Sequence, residues 1–222
     1  MVRVPEPGRW RSEKVSHGYV ADYKPFVMVD GQGVRCSLYV SGCLFGCEGC
    51  YNEAAWSFRY GRPYDDELEE RILVDLAHEA VQGLTLMGGE PFLNTRVCLR
   101  LLHRVRERFG RSRDVWCWSG YTFEQLLAEG AAGRADTLAL LDGLDVLVDG
   151  PFLIERRDLS LAFRGSTNQR VLDVPASLAA RRPIVWAGAS DARRSDADAG
   201  SSPSDLAPTV SHADRVARRA LL

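Results

Sequence analysis

Val34-Arg35-Cys36-Ser37-Leu38-Tyr39-Val40-Ser41 runs without a break into Gly42-Cys43-Leu44-Phe45-Gly46-Cys47-Glu48-Gly49-Cys50. The first half is a β-rich run. The second sets three thiols at C-x3-C-x2-C spacing. A strand that hands over to a ligand-bearing loop suits an α/β sheet, where ligands sit beyond the carboxyl ends of parallel strands. Three thiolates on one short loop can hold three corners of an iron–sulfur cube. A cube held by four cysteines has every iron protein-ligated. One held by three keeps an iron open, as catalytic metal sites keep one coordination position free. Spacing alone leaves two other readings open. One is a structural zinc knuckle with Cys36 or a histidine as fourth ligand. The other is a Cys47–Cys50 dithiol redox pair.

Working outward, the pattern of strands and helices supports the same fold class. Upstream, Phe26 to Asp30 and Val34 to Ser41 flank Gly31-Gln32-Gly33, which predicts a hairpin. Residues 1–25 are polar and turn-rich and are expected to form a leader and short edge structure. Downstream, Leu68, Ile72, Leu76, Ala80 and Val81 recur at helical spacing within 65–82. Leu84 to Met87 reads as a strand ended by Gly88-Gly89. A helix from Thr95 to Phe109 and a strand at Val115 to Trp118 follow. Thr122-Phe123-Glu124-Gln125 has capping-box spacing and opens another helix. Leu138 to Leu141 reads as a short helix ending near Gly143, and Asp145 to Val148 as a strand turned by Asp149-Gly150-Pro151. Residues 152–168 read as an ordered but irregular excursion, and Gln169 to Val174 as a last strand. Strands alternating with helices imply an α/β fold with mostly parallel strands. On that topology the cysteine loop, Gly88-Gly89-Glu90-Pro91, Ser119-Gly120-Tyr121 and Asp149-Gly150-Pro151 all open on one rim.

Length and composition bound the rest. The chain has 222 residues, 45% of them hydrophobic, which is enough for one domain with a real core. A net charge of −2 gives no sign of a nucleic-acid partner. No apolar run approaches the ~20 residues of a membrane span. The first fourteen residues carry no apolar signal segment, so the expected location is the cytoplasm. Six cysteines there point to metal binding or catalysis rather than disulfides. The expected domain runs over 26–187. From 188 to 222, Ala, Ser, Asp and Arg dominate, and this stretch is expected to be a disordered tail.

Other residues have bland readings. Cys36 alternates in phase with Leu38 and Val40 and is expected to be a buried, inert thiol. Cys98 and Cys117 read as core. The two glycines of Gly88-Gly89-Glu90-Pro91 allow close backbone approach to a ligand, and Glu90 offers a carboxylate to an ammonium group. Taken alone, the segment is a tight turn with a solvated Glu. Tyr51, Asn52 and Trp56 follow the thiols, and Trp116, Trp118 and Tyr121 read as core or pocket wall. Asp149, Asn168 and Gln169 default to solvated loop positions. None of the four histidines shows ligand-like pairing.

The C-x3-C-x2-C loop followed by Gly-Gly-Glu-Pro resembles the radical S-adenosylmethionine enzymes. Five blocks sharpen the resemblance: Arg35 to Cys43, Gly49 to Asn52, Trp116 to Thr122, Val148 to Phe152, and Arg164 to Gln169. In this order they look like the activase family that serves anaerobic ribonucleoside-triphosphate reductases. The likeness covers about 19–174; Met87 stands where a small residue is expected. The resemblance implies an incomplete β/α barrel. It implies that Cys43, Cys47 and Cys50 bind a catalytic [4Fe–4S] cluster whose fourth iron is chelated by S-adenosyl-L-methionine. Gly49, Cys50, Tyr51, Gly88, Gly89 and Glu90 would contact that cofactor. It further implies reductive cleavage of S-adenosylmethionine by an electron from a low-potential donor. The 5′-deoxyadenosyl radical would then take a hydrogen from a glycine of the reductase. Competing readings are an activase of another glycyl-radical enzyme, a small-molecule radical S-adenosylmethionine enzyme, or a non-catalytic zinc or electron-transfer module.

Overall fold

A computed structural model describes residues 11–131 and 134–188. The chain divides into two units, 1–192 and 193–222, and the second lies wholly outside the described residues, as does the expected tail from 189 onward. Among the described residues, no helix is long and apolar enough to cross a membrane.

The first unit is built on one open, seven-stranded sheet. A short helix α1 (Ser12–Val15) precedes β1 (Tyr19–Val27) and β2 (Val34–Val40). After the cysteine loop come β3 (Arg62–Pro63), α2 (Asp66–Leu76), β4 (Val81–Gly88), α3 (Thr95–Phe109) and β5 (Asp114–Trp118). Then follow α4 (Phe123–Ala131), α5 (Ala135–Gly143), β6 (Val146–Asp149), β7 (Arg170–Asp173) and α6 (Val174–Ala180). The strand order is β3-β1-β2-β4-β5-β6-β7. The four central strands, β2, β4, β5 and β6, pair parallel, while β1, β3 and β7 pair antiparallel at the flanks. The α/β class and the parallel centre therefore stand as expected.

Strand alternation sorts the side chains onto two faces. Leu38, Leu84, Leu86, Val115, Cys117 and Leu147 face one main core with Ile72 and Leu73 of α2, Leu101 and Val105 of α3, and Leu140 of α5. On the other face, Trp116, Val146, Val148 and Val171 form a second cluster, capped by Trp118, Phe163 and Trp186. Helix ends are fixed locally. Asp65 caps α2 by accepting the Leu68 N–H at 2.9 Å, and Gly110, at φ +57°, ends α3 with its N–H on the Arg106 carbonyl. The capping box at α4 forms in both directions: Thr122 N–H donates to Gln125 Oε1 at 2.9 Å and Gln125 N–H to Thr122 Oγ1 at 3.3 Å.

Two local readings differ from expectation, and two further features lie outside the sequence reading. The first strand runs over Tyr19–Val27, not 26–30; Phe26 sits at φ +57° beside a bulge, and Met28 and Val29 are exposed in the connection. Beyond its short pairing with β3 at Tyr19 and Val20, β1 is open on one side, and such a strand tolerates Pro25 and charges at its bulges, which blurs the sequence signal. The helix within 65–82 stops at Leu76, and Val81 already belongs to β4. Strand β7 runs antiparallel to β6, because the chain returns to its neighbour through the irregular excursion rather than a crossover helix. Helix α6 was missed, although Asp173 accepting the Ala176 N–H at 2.9 Å, with Pro175 in the first turn, is a start signal.

One buried charge organises the amino-terminal end of the sheet. The Arg35 side chain is fully buried. It donates to Thr85 Oγ1 at 2.7 Å, the Leu84 carbonyl at 2.8 Å and Asp114 Oδ1 at 2.5 Å, and it lies over the Trp116 ring. Burial pulls the guanidinium pKa down, and the Asp114 charge opposes that. Removing one partner of a buried pair leaves an uncompensated charge and costs about 3–5 kcal/mol. Asp114 is partly exposed, so Asp114→Ala is expected to cost about 3 kcal/mol in urea denaturation. A loss below about 1 kcal/mol would show that water replaces the carboxylate.

Candidate metal centre

The expected convergence of loops is present. Cys43, Cys47 and Cys50, with Asn52 and Trp56, line one cavity together with Met87, Gly88, Gly89 and Glu90 from the end of β4. Trp118, Ser119 and Gly120 join them from the end of β5, Gly150 and Phe152 from the end of β6, and Gln169 from the start of β7. Tyr51 lies outside this inner cavity and is fully exposed; it lines an adjoining groove with Gly49, Cys50, Ile154 and Leu159.

Main-chain lacing holds the cysteine loop to the Gly-Gly segment. Gly89 N–H donates to the Val40 carbonyl and Glu90 N–H to the Gly42 carbonyl, both at 2.8 Å. Gly88 has φ +101°, and a Cβ on Gly89 would lie 2.5 Å from the Gly42 oxygen. The glycine pair is therefore demanded by the contact between strand ends. Beyond the thiols, a 3-10 turn at Glu53–Trp56 folds back: the Ala55 carbonyl accepts the Gly42 N–H at 2.7 Å and the Trp56 carbonyl accepts the Cys43 N–H at 3.1 Å. The loop is thus clamped on both sides of its first thiol.

Glu90 is the second organiser, and it is not a solvated turn residue. It is 1% exposed. Its Oε1 accepts from Phe92 N–H at 3.0 Å and Ser119 Oγ at 2.9 Å, and its Oε2 from Gly120 N–H at 2.8 Å. One carboxylate therefore ties the loop after β4 to the loop after β5. Burial pushes its pKa up to about 7, against the downward pull of those three donors. Burial, reinforced by the Glu90 charge, pushes the Cys43 thiol up to about 12, and burial raises Cys47 as well. A metal would oppose this at Cys43 and Cys47, since a coordinating thiol is deprotonated outright.

Asp149 also departs from its solvated default. It is fully buried and accepts from Phe123 N–H at 2.7 Å and from Arg170 at 2.9 and 2.5 Å. It anchors the start of α4 to the β6 end. Gln169 donates to the Gly150 carbonyl at 3.0 Å and Asn168 to the Pro151 carbonyl at 2.8 Å, so both brace the Asp149-Gly150-Pro151 turn. Short polar side chains after a strand carried no signal for this in the sequence.

Among the described residues, no three His, Cys, Asp or Glu side chains are close enough to hold one metal ion. The three thiols nevertheless share one cavity, as a larger group spanning them would require. Cys36 is fully buried in the main core, as are Cys98 and Cys117, so none is available as a fourth ligand. The indole Nε1 of Trp56 is buried on the cavity wall without a hydrogen-bond partner, a donor that awaits an acceptor. Phe45, Met87, Trp118 and Phe152 add apolar surface to the wall.

Comparison with known proteins agrees with this geometry. A family model described as a 4Fe-4S single cluster domain matches residues 29–172. An anaerobic ribonucleoside-triphosphate reductase-activating protein of Pasteurella multocida is 44% identical over 153 residues, 66% of this chain and 92% of the relative. The protein of that name from Escherichia coli K12 is 38% identical over 67% of this chain and 94% of its own length. One from Enterobacteria phage T4 is 36% identical over 66% and 88%. On the strength of these matches, the chain belongs to the family of anaerobic ribonucleoside-triphosphate reductase-activating proteins.

Proposed function

We propose that the chain is a radical S-adenosylmethionine activase that generates a glycyl radical on an anaerobic ribonucleoside-triphosphate reductase. In this reading the open sheet is the incomplete β/α barrel of that superfamily. Cys43, Cys47 and Cys50 hold three irons of a [4Fe–4S] cluster, and S-adenosylmethionine takes the fourth. Gly49, Cys50, Tyr51, Gly88, Gly89 and Glu90 form its surroundings. When bound, the two groups supply one-electron cleavage of the sulfonium and removal of hydrogen from a glycine of the partner.

The chain's own part is placement. The observation that carries the reading is that one buried carboxylate and two main-chain bonds lock the thiol loop, the Gly-Gly segment and the Ser119-Gly120 loop around a single cavity. That rigidity holds reacting groups in register, which is where proximity lowers a barrier. The apolar wall of Phe45, Met87, Trp118 and Phe152 excludes water from reactive species. The opening beside Tyr51, Ile154 and Leu159 leaves a way in for a segment of a protein substrate. A low-potential reductant of the cytoplasm supplies the electron.

The test is anaerobic incubation of this protein, reconstituted with iron and sulfide, with the candidate reductase, a reductant and S-adenosylmethionine. A glycyl doublet on the reductase by EPR is expected. A colourless protein that holds one zinc and gives no doublet would overturn the reading. The activity is assigned to 26–187. A chain ending at residue 187 is therefore expected to cleave S-adenosylmethionine within about twofold of the full chain, a change of under about 0.5 kcal/mol in barrier. A tenfold loss would place the remaining residues in the working protein.

A further inference from the structure

Among the described residues, nothing satisfies one donor on the cavity wall. Trp56 is anchored beside the first thiol, because its carbonyl accepts the Cys43 N–H at 3.1 Å. Its side chain lines the cavity with Cys43, Cys47 and Cys50, and its Nε1 is buried with no partner. An indole nitrogen is a donor only, so it cannot be satisfied by a neighbouring N–H or a change of tautomer. The carboxylate on the wall is already engaged with other donors. The Glu90 carboxylate takes Phe92, Ser119 and Gly120. The other indole on the wall is matched: Trp118 Nε1 donates to the Phe163 carbonyl at 3.0 Å. A buried N–H left in this state is unfavourable, and an orphaned polar group in a folded protein calls for a partner outside the chain.

We propose that Trp56 donates its indole N–H to a sulfur of the cluster held by Cys43, Cys47 and Cys50, and thereby eases the cluster's reduction. This rests on the cluster-binding reading above. The acceptor is placed on the cluster rather than on the carboxylate of S-adenosylmethionine because the turn carrying Trp56 is fastened to the thiol loop itself, at Gly42 and Cys43. One electron from the low-potential donor adds negative charge that the sulfurs share. A hydrogen bond to sulfur stabilises that charge, and such bonds are among the factors that set iron–sulfur potentials. Trp56 acts as a positioning and tuning residue, since it ligates nothing.

The experiment uses the full chain reconstituted anaerobically. Trp56→Phe keeps the ring and deletes the donor. At equal iron content and without S-adenosylmethionine, its reduced-to-oxidised ratio at a fixed potential is expected to fall about tenfold, a shift of about 59 mV to the negative for one electron. An unchanged midpoint overturns the proposal. Should that variant fail to assemble its cluster, the wild-type protein decides. Grown with 15N-indole tryptophan and reduced, it is expected to show 15N coupling to the cluster by pulsed EPR, with an exchangeable proton. No coupling overturns the proposal. Coupling that appears only after S-adenosylmethionine is added also overturns it, because the acceptor is then the carboxylate. A wild-type chain that binds no cluster defeats the functional reading itself, whereas a cluster without coupling defeats only this inference.

Discussion

Cys47→Ala is expected to bring iron and sulfide content after anaerobic reconstitution down to background, with the visible charge-transfer band lost. Two thiolates leave two corners of a cube without protein ligands, and the loop between Cys43 and Cys50 then has nothing to close around. Cys43→Ala and Cys50→Ala share this outcome. Cys36→Ala should keep the cluster. Its thiol is fully buried in the main core, near Tyr23, whose hydroxyl donates to Asp75 at 2.8 Å. Truncating it opens a small void on β2 and costs about 1 kcal/mol, visible in denaturation and not in iron content. Iron retained in the Cys47 variant, or lost in the Cys36 variant, would mean that a different set of thiols binds the metal.

What the sequence disclosed was what local spacing encodes. Three thiols within eight residues, two adjacent glycines at a strand end and a capping box at Thr122 are each written in a few neighbouring positions; the glycines and the capping box form as read, and the thiols line one cavity. The convergence of four loops followed from alternating strands and helices, because parallel pairing sends the strand ends β2, β4, β5 and β6 to one side. What stayed hidden depends on partners far along the chain. Glu90 reads as a surface turn until Ser119 and Gly120, some thirty residues on, supply its donors. Asp149 reads as a loop carboxylate until Arg170 and the first N–H of α4 enclose it. Trp56 reads as a shield for the thiols, and its unmatched nitrogen separates it from Trp118, which lines the same cavity but donates to the Phe163 carbonyl. The direction of β7 was equally illegible, since an irregular excursion of this length can return a strand either way.

Glu90→Gln is expected to damage S-adenosylmethionine binding far more than cluster binding. Glutamine matches the size of glutamate but has one oxygen where the carboxylate has two. With its oxygen toward Phe92 and Ser119, its amide nitrogen faces the Gly120 N–H, donor against donor. Flipped, the nitrogen faces the Phe92 N–H instead, and only the Ser119 hydroxyl can turn to accept it. In either pose a buried main-chain donor is orphaned, at roughly 1–3 kcal/mol, and the charge that strengthened the other bonds is gone. The loss falls on the link between the β4 and β5 loops, while the cysteine loop keeps its main-chain bonds to residue 90, Ala55 and Trp56. Iron content should therefore hold, while affinity for S-adenosylmethionine drops about tenfold to a hundredfold, the equivalent of 1.4–2.8 kcal/mol. Ser119→Ala removes a single donor from the same carboxylate and should fall below that range. The pairing of stability with affinity is the decisive readout. If Glu90→Gln denatures at the wild-type urea concentration yet no longer binds the cofactor, the carboxylate touches the ligand directly and the bridge between loops is incidental. If both survive, the cavity is held open by the main-chain lacing alone.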